Sequence, residues 1–394
     1  RQRQMCIRDR SYLLFKLYYQ YLLDSGIEAS RIIRIPLDDE EYEELRESRR
    51  LSAYIKKCVT DEGTWFIFLD EVQMCRGFES VLNGLNRRDN LDIYVTGSNS
   101  KFLSTDVLTE FRGRGDEVRV YPLSFSEYVT AHPGDKQDAW MDYYNYGGLP
   151  LILSRKTDEL KSRYLIDLCR ELYLKDIEER YKLRGDNVMD TLVSILASAV
   201  GSLTNPTKLA NTFKSNGIHV SDKTIGVYIG YLLDAFFINK AERYDIKGRK
   251  YIASPFKYYF TDIGLRNARL NFRQQEENHI MENIIYNELL VRGLNVDVGV
   301  VERSERDESG KTIRKKLEVD FVCNRGNQRY YIQSAFAIPD NDKMQQEQKS
   351  LVHIGDSFKK IIVVKDRIKL WRNEKGIVIM GIMDFLLNPN SLEL

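Results

Sequence analysis

The stretch Trp65-Phe66-Ile67-Phe68-Leu69-Asp70-Glu71 decides the fold, because five apolar residues run without interruption into two acids. A short continuous apolar run predicts a strand that is buried on both faces, as in a parallel sheet covered by helices. Functional groups in such sheets lie at the carboxyl ends of the strands. The two acids therefore stand where a site is expected.

This run has the Walker B pattern. In that role Asp70 would hold Mg2+, directly or through a water, and Glu71 would orient and deprotonate the attacking water. The alternative is structural, because a buried strand can also run into an acidic helix cap.

Two further segments predict parallel strands around this one. Residues 91–100, read Leu-Asp-Ile-Tyr-Val-Thr-Gly-Ser-Asn-Ser, follow at a normal strand-helix-strand interval and end in small polar residues. Ser98 and Asn99 could there reach the γ-phosphate or the water activated by Glu71, although such residues also favour plain turns. Residues 31–39 predict a third strand that leaves its sheet in an acidic loop.

A helix is predicted from Ser11, since apolar residues recur at helical spacing and the segment ends at Ser25-Gly26. In a phosphate-binding loop, G-x-x-x-x-G-K-[ST], the last Ser or Thr coordinates magnesium at the start of such a helix. Ser11 stands at that position, as a ligand for nucleotide and metal. The glycines and the lysine of the motif, and the strand that normally leads into it, are absent before Ser11. Residues 1–10 resemble a translated sequencing adapter instead, and a short natural N-terminal extension is the alternative.

Downstream, Phe111-Arg112-Gly113-Arg114-Gly115 offers two arginines. Arg114, or its neighbour Arg112, could stabilise the charge of a transferred phosphoryl group. A solvated loop arginine is the alternative for each of them.

The order LDEVQ (69–73), TGSNS (96–100), a GR pair, PLSFSEY (122–128) and YGGLP (146–150) resembles a family of AAA+-like P-loop ATPases with a C-terminal domain of unknown function. Residues 257–265, KYYFTDIGL, also match, in a packing role. The resemblance implies ATP and Mg2+ as ligands and ATP hydrolysis at the level of the family. Without the Walker A loop, this chain is expected to bind and hydrolyse ATP poorly.

A winged helix-turn-helix is predicted in the middle of the chain, because three helices are followed by two strand-like pieces. If it binds DNA, Lys223 at the start of the third helix would enter a groove, and Lys247, Arg249 and Lys250 of the wing would contact phosphates. The alternative is a lid or a protein contact, since fold analogy alone does not assign the partner.

The last part of the chain resembles the restriction-endonuclease-like fold. Nucleases of that fold use an acid on one strand, then an acid and a lysine two residues apart on the next, to bind Mg2+ and activate water. Asp320 fits the first position and Glu282 could be an added helix acid, but Gln333 and Ala335 occupy the acid and lysine positions. A degenerate nuclease-like domain is therefore expected.

We thus predict an α/β protein: a P-loop parallel sheet without its first strand and Walker A loop, a winged helix-turn-helix, and a nuclease-like α/β domain. The predicted segments are adapter-like residues 1–10, ATPase core 11–150, connector helix 151–187, winged helix 188–272 and C-terminal domain 273–394. The rival prediction is a DNA- or protein-binding module that catalyses nothing.

Composition limits the remaining choices. The 394 residues suffice for two or three domains, and the net charge of +1 neither implies nor excludes a polyanionic partner. No apolar run approaches the about 18 to 20 residues of a membrane span, so a cytoplasmic location is expected. The five cysteines and four histidines show no metal-site spacing.

Overall fold

The computed structural model describes residues 11–97, 115–174, 177–178, 181–183, 187–273, 276–306, 312–338 and 341–394. These form two compact units: one runs to Val120 and includes Asp234–Phe236, and the other comprises Tyr121–Leu233 and Phe237–Leu394. The adapter-like segment 1–10 and residues 98–114 lie outside the described residues. The predictions made for Ser98, Asn99, Arg112 and Arg114 therefore lie outside them as well.

The first unit contains a parallel sheet in the order β1-β2-β3. Its strands are β1 (Ile32–Pro36), β2 (Trp65–Asp70) and β3 (Leu91–Val95). Leu69 of β2 pairs with Ile35 on one side and with Val95 on the other. The prediction of three neighbouring parallel strands is confirmed.

The predicted helix after Ser11 is present. It consists of a π-helical turn, Leu13–Tyr18, that continues as α1 (Tyr19–Asp24), and Gly26 follows with φ +90°. Its apolar side packs against the sheet, where Leu14 and Leu22 join a cluster with strand residues such as Phe68. The other α-helices described in this unit are α2 (Ser48–Cys58) and α3 (Phe78–Leu85).

Side-chain burial differs between the central strand β2 and the neighbouring strand β3. All six side chains of β2 are buried, whereas the apolar residues of β3 are only half-buried. Among the described residues β3 pairs with β2 alone. An apolar strand that remains half-exposed is an edge, with backbone groups available for a further neighbour.

The second unit is built around one mixed sheet in the order β10-β11-β9-β8-β7-β6-β4-β5. Its strands are β4 (Ile238–Asp245), β5 (Lys250–Phe260), β6 (Asn295–Arg306), β7 (Thr312–Arg325), β8 (Gln328–Ala335), β9 (Lys359–Val364), β10 (Trp371–Arg372) and β11 (Val378–Gly381).

Ten helices are described in this unit. They are α4 (Phe125–Ala131), α5 (Lys136–Tyr146), α6 (Asp158–Asp167), α7 (Val188–Ser198), α8 (Pro206–Ser215), α9 (Asp222–Asp234), α10 (Ile263–Arg269), α11 (Glu277–Val291), α12 (Asn341–Val352) and α13 (Ile382–Leu387). A π-helical turn, Leu168–Leu174, continues α6, and α9 ends at Asp234, the first residue of the short stretch that groups with the other unit.

Three helices and a hairpin occur where the winged helix is predicted. The helices are α7, α8 and α9, and the hairpin is β4 with β5. This hairpin is also part of the large sheet, because Arg243 of β4 pairs in parallel with Val298 of β6. The elements are confirmed, while their assignment as a winged helix stays a prediction.

Two of the motifs that carry the family resemblance lie against each other. Asp262, at the N-cap of α10, accepts a hydrogen bond from Gly148 N at 2.8 Å. Gly147 has φ +77°, and a Cβ there would lie 2.2 Å from the carboxylate of Asp262. A Cβ on Gly264 would lie 2.0 Å from the carbonyl oxygen of Tyr146. Glycine is therefore required at both positions by close approach.

Within the described ranges, no helix combines the length and apolar character that crossing a membrane demands.

Candidate functional sites

Asp70 ends the fully buried strand β2 and has 6% of its surface exposed. Its Oδ1 accepts hydrogen bonds from the hydroxyl of Thr96 and from Glu71 N, the latter at 3.1 Å. Thr96 follows β3, so donors from two chain segments meet one carboxylate oxygen. Among the described residues Oδ2 accepts no hydrogen bond, which leaves an oxygen for a cation or a water.

Glu71 has a left-handed backbone conformation, with φ 47° and ψ 48°. A non-glycine residue there costs on the order of 1 kcal/mol, and such strain clusters at functional sites. The side chain of Gln73 donates a hydrogen bond to Glu71 Oε2, which orients the carboxylate. Gln73 and Thr96 lie within the motifs LDEVQ and TGSNS, but the sequence pattern predicted a role for neither of them.

Ser11 is half-buried at the start of the first helix. No hydrogen bond between described residues joins it to Asp70. The two predicted metal ligands belong to the same unit, since the helix that follows Ser11 packs on β2: the rings of Phe15 and Phe68 lie 6.0 Å apart. Its role as a ligand stays a prediction.

The four cations predicted to meet DNA are all exposed. Lys223 lies in the first turn of α9, and Lys247, Arg249 and Lys250 lie at the turn between β4 and β5. Lys247 Nζ donates to the carbonyl oxygen of Glu302 at 3.1 Å. The other three side chains form no ion pair within the described residues, so their charge faces solvent.

In the second unit, the acids predicted for a degenerate nuclease site come together. Glu282 on α11 and Asp320 on β7 are both buried, at 7% and 8% exposure. Asp320 Oδ2 accepts a hydrogen bond from Ser334 N at 2.8 Å. Gln333, at the predicted acid position of β8, accepts a bond from Asp320 N through Oε1 at 3.4 Å.

A lysine that sequence reasoning assigned to packing lies among these acids. Lys257 Nζ lies 2.8 Å from Glu282 Oε1, 2.8 Å from Glu318 Oε1 and 3.7 Å from Asp320 Oδ1. Tyr259 adds a hydroxyl donor to Glu282 Oε1 at 2.6 Å. We call Lys257, Glu282, Glu318 and Asp320 the ammonium-carboxylate cluster.

The pKa shifts in this cluster follow from burial and from the position of the ammonium. Burial acts to lower the pKa of Lys257, but Glu282, Asp320 and Glu318 more than offset it and the pKa is raised. Burial acts to raise the pKa of Glu282, but Lys257 and hydrogen bonds from His279 and Tyr259 bring it to about 2. Glu282 is therefore ionised.

Asp320 lies farther from the ammonium and behaves differently. Burial, together with the charge of Glu282, raises its pKa to about 8, although Lys257 and Ser334 N act in the opposite direction. A carboxyl that holds its proton near neutral pH is a weak ligand for a cation. Within the described ranges, no group of three or more His, Cys, Asp and Glu side chains is arranged to hold a metal ion.

Two family models match the chain in succession. Residues 10–129 match the model described as an AAA domain, and residues 137–276 match one described as a domain of unknown function, DUF8612. The first match contains Asp70 and Glu71. The second contains Lys257 and ends after the hairpin and α10, before Glu282 of α11 and the cluster acids of β7.

Two solved structures show a weak likeness. The Aeropyrum pernix ORC1 protein in complex with DNA has 12% identity and a TM-score of 0.28, over 67% of this chain and 83% of that chain. Protein VC1899 from Vibrio cholerae has 11% identity and a TM-score of 0.23, over 92% and 97%. Scores this low carry no argument about this chain.

Two relatives match over most of their length. An uncharacterized protein of Methanocaldococcus jannaschii, MJ1544, is 26% identical over 350 residues, 85% of this chain and 74% of the relative. An uncharacterized protein of Haemophilus influenzae is 31% identical over 386 residues, 96% of this chain and 92% of the relative. With the AAA-domain match in its N-terminal third, the chain belongs to the same AAA-like P-loop family as the Haemophilus influenzae protein.

Proposed function

We propose that the first unit is the core of an ATP-binding ATPase in which Asp70 holds Mg2+ and Glu71 activates the attacking water. One observation carries this proposal. The carboxylate of Asp70 lies at the carboxyl end of a buried parallel strand. Thr96 and Glu71 N hold it through one oxygen, while the other accepts no hydrogen bond from the residues that the structure describes. Open parallel sheets bind their ligands at this edge.

The donor set fits magnesium, which takes oxygen ligands and retains several waters. When bound with nucleotide, Mg2+ neutralises charge that develops on the phosphate oxygens. Asp70 supplies one anionic ligand from a fixed position. Glu71 accepts a proton from the attacking water, and Gln73 holds its carboxylate in place.

The sequence before Ser11 does not contain the glycines and lysine of a phosphate-binding loop, so ATP binding requires that the loop be added. Backbone N–H groups and the lysine of G-x-x-x-x-G-K cradle the β- and γ-phosphates. Ser11 supplies only the last position of that motif. We therefore propose weak or no ATP binding by residues 1–394 alone.

Calorimetric titration with Mg-ATP tests this. The chain as given should show no heat of binding, whereas a variant with a strand and G-x-x-x-x-G-K placed before Ser11 should bind. In that variant Asp70→Asn should weaken binding by about tenfold or more, and Glu71→Gln should still bind ATP but not hydrolyse it.

Asp89→Asn is the matched control, because Asp89 is an exposed acid in the turn before β3. It should leave binding and hydrolysis unchanged. Micromolar binding of Mg-ATP by the chain as given would contradict the need for the loop. Hydrolysis that survives Glu71→Gln would contradict the assigned role of that residue.

A second candidate function is DNA binding through the predicted winged helix. It rests on the exposure of Lys223, Lys247, Arg249 and Lys250. Binding of this kind is electrostatic, so neutralising one cation that meets a phosphate should reduce the slope of log affinity against log salt by about 1.

A variant with Gln at all four positions tests this second candidate. Its affinity for duplex DNA should fall and its salt dependence should flatten relative to the parent. Replacing four exposed lysines outside the predicted winged helix (Lys56, Lys57, Lys136 and Lys375) by Gln controls for total charge. Equal DNA binding by the parent and the first variant would place any DNA site elsewhere.

A further inference from the structure

The ammonium-carboxylate cluster joins three separate elements of the second unit. Lys257 comes from β5, Glu282 from α11, and Glu318 and Asp320 from alternate positions on one face of β7. In a flat sheet β5 and β7 would lie about 14 Å apart, at about 4.8 Å per strand. Ion pairs of 2.8 Å require the end of β5 to turn toward that face of β7.

Side chains of α11 fix this turn. Asn283 Oδ1 accepts from Phe260 N, and Asn283 Nδ2 donates to Phe260 O, both at 2.8 Å. Asn287 Nδ2 donates to the same carbonyl oxygen at 3.0 Å. These bonds hold the last residue of β5 against the helix that carries Glu282. The position of the ammonium is therefore set by backbone contacts and not by a flexible side chain alone.

The geometry suits an ammonium and not magnesium. The three carboxylate oxygens lie 2.8, 2.8 and 3.7 Å from Nζ. The first two are N–H···O distances, whereas Mg2+ requires oxygen ligands at about 2.0 to 2.1 Å. The resemblance to metal-dependent nucleases implies Mg2+ at Glu282 and Asp320, so the residues present do not fit that group in this chain.

The described residues around the ammonium leave little room for a second cation. Lys257 is 3% exposed, and Gly201 closes one side: a Cβ there would lie 3.2 Å from Glu282 Oε2 and 3.1 Å from His279 Nδ1. The side chain of Glu318 is 35% exposed, which gives a route from solvent. A divalent ion that entered by this route would meet a buried positive charge at the centre of its ligands.

We propose that the Lys257 ammonium occupies the cation position between the carboxyl groups of Glu282, Glu318 and Asp320, which closes the site to divalent metals until the ammonium is removed. The inference is independent of the ATPase function proposed for the first unit. The proposal also differs from the explanation that Gln333 merely fails to supply a metal ligand. Here the positive charge of Lys257 is what keeps a divalent metal out.

Mn2+ binding tests the proposal. It is measured by the decrease of the electron paramagnetic resonance signal of free Mn2+ and by the shift of the midpoint of thermal unfolding. Lys257→Met keeps an unbranched chain but removes the charge. It should bind Mn2+ on the order of tenfold or more tighter than the parent, and Mn2+ should raise its thermal midpoint. Adding Asp320→Asn to Lys257→Met should abolish both effects, which separates this site from Asp70.

Lys161→Met is a matched control. Lys161 is also buried, at 8% exposure, but its Nζ contacts Asp142 and lies 3.9 Å from Asp158, whose side chain is exposed. This variant should lose stability in the same way without gaining Mn2+ affinity. Lys257→Gln, which restores a hydrogen-bond donor, serves if Lys257→Met does not fold in the absence of metal.

Two results would overturn the proposal. One is a folded Lys257 variant that binds Mn2+ no better than the parent. The other is a parent protein that binds Mn2+ at a site which Asp320→Asn removes, since the ammonium would then not exclude the metal. The second measurement needs no Lys257 variant and so can overturn the proposal even if both variants fail to fold.

Discussion

The two carboxylate sites of this chain use the same residue type in opposite ways. Asp70 is held by neutral donors, a hydroxyl and a backbone N–H, and within the described part of the chain one of its oxygens accepts no hydrogen bond. Glu282 and Asp320 are buried around an ammonium that the chain itself supplies. A carboxylate without a positively charged partner can bind a cation from solution. A carboxylate that pairs with a buried lysine stabilises the fold instead.

The difference matters because burying an ionised carboxylate is costly unless it is paired. At Asp70 the free-energy cost of burying the carboxylate is limited because the residue lies at the end of β2. Around Lys257 the cost is offset by the ion pairs and by Tyr259. Removing a partner should therefore have a large effect on stability in the cluster and a small one near Asp70.

The largest expected effect follows from Glu282→Ala. This change removes one of the two carboxylates that lie 2.8 Å from the buried ammonium of Lys257, together with the acceptor of the Tyr259 hydroxyl. Breaking a buried pair typically costs about 3 to 5 kcal/mol, and the remaining contact with Glu318 places the expected loss near the lower end. Urea denaturation, with hydrogen exchange of β5 and α11, should show the loss. Glu277→Ala, in the first turn of the same helix but with its side chain 44% exposed, should change stability by at most about 1 kcal/mol. Equal losses in the free energy of unfolding for Glu282→Ala and Glu277→Ala would contradict the importance of the buried ion pair.

Asp320→Asn should change the pH dependence of stability. The pKa of Asp320 is raised from 3.8 to about 8, so the folded state binds its proton more tightly than the unfolded state does. The parent's free energy of unfolding should then fall as the pH rises from about 4 to about 8. Asn cannot lose a proton, so the variant should show a smaller fall; the part that remains comes from other groups whose pKa is raised, such as Asp262, which burial raises to about 6.

Thermal or urea unfolding between pH 4 and pH 8 measures this. The lowered pKa of Glu282 acts below that window, between about 2 and 4.5. The raised pKa values of His279, Glu288 and Asp297 act within it in parent and variant alike, so the difference between the two curves reports Asp320. Asp342→Asn, at an exposed position of α12, is the control and should follow the parent. A parallel fall in the parent and in Asp320→Asn would show that Asp320 is ionised in the folded state.

Thr96→Val should have a smaller effect. It removes the hydroxyl that donates to Asp70 without changing the size of the side chain, and a hydrogen bond to a charged group contributes about 1.5 to 3 kcal/mol. Partial exposure and the remaining bond from Glu71 N place the expected loss near the lower end. Faster hydrogen exchange in β2 and β3 would report it. Thr60→Val, at an exposed loop position, should show no change.

The smallest effect is expected for nucleic-acid cleavage. The parent should cut neither single- nor double-stranded DNA or RNA in millimolar Mg2+ or Mn2+ beyond a mock preparation, and Asp320→Ala should behave identically. Cleavage by the parent that vanishes in Asp320→Ala would show a working metal site and so contradict both the degenerate assignment and the proposed role of Lys257.

Much of the architecture could be predicted from local pattern. The apolar run before Asp70 predicted a buried parallel strand, and two further segments predicted parallel strands. All three are present, and the structure puts β2 between β1 and β3. The spacing of residues 188–260 predicted three helices and a hairpin, all present. The union of that hairpin with the C-terminal sheet was not predicted, because pairing between β4 and β6 depends on residues more than 50 positions apart.

The sequence by itself determined where carboxylates stand on the elements of this protein. Alternation along β7 puts Glu318 and Asp320 on one face, and the end of β2 places Asp70 at a sheet edge, since backbone geometry repeats over a few residues. Only the tertiary structure decided what each carboxylate meets. Lys257 reaches Glu282 because α11 holds the end of β5, and Thr96 reaches Asp70 because neighbouring strands are in register. Such contacts depend on the packing of distant segments, which no local periodicity encodes.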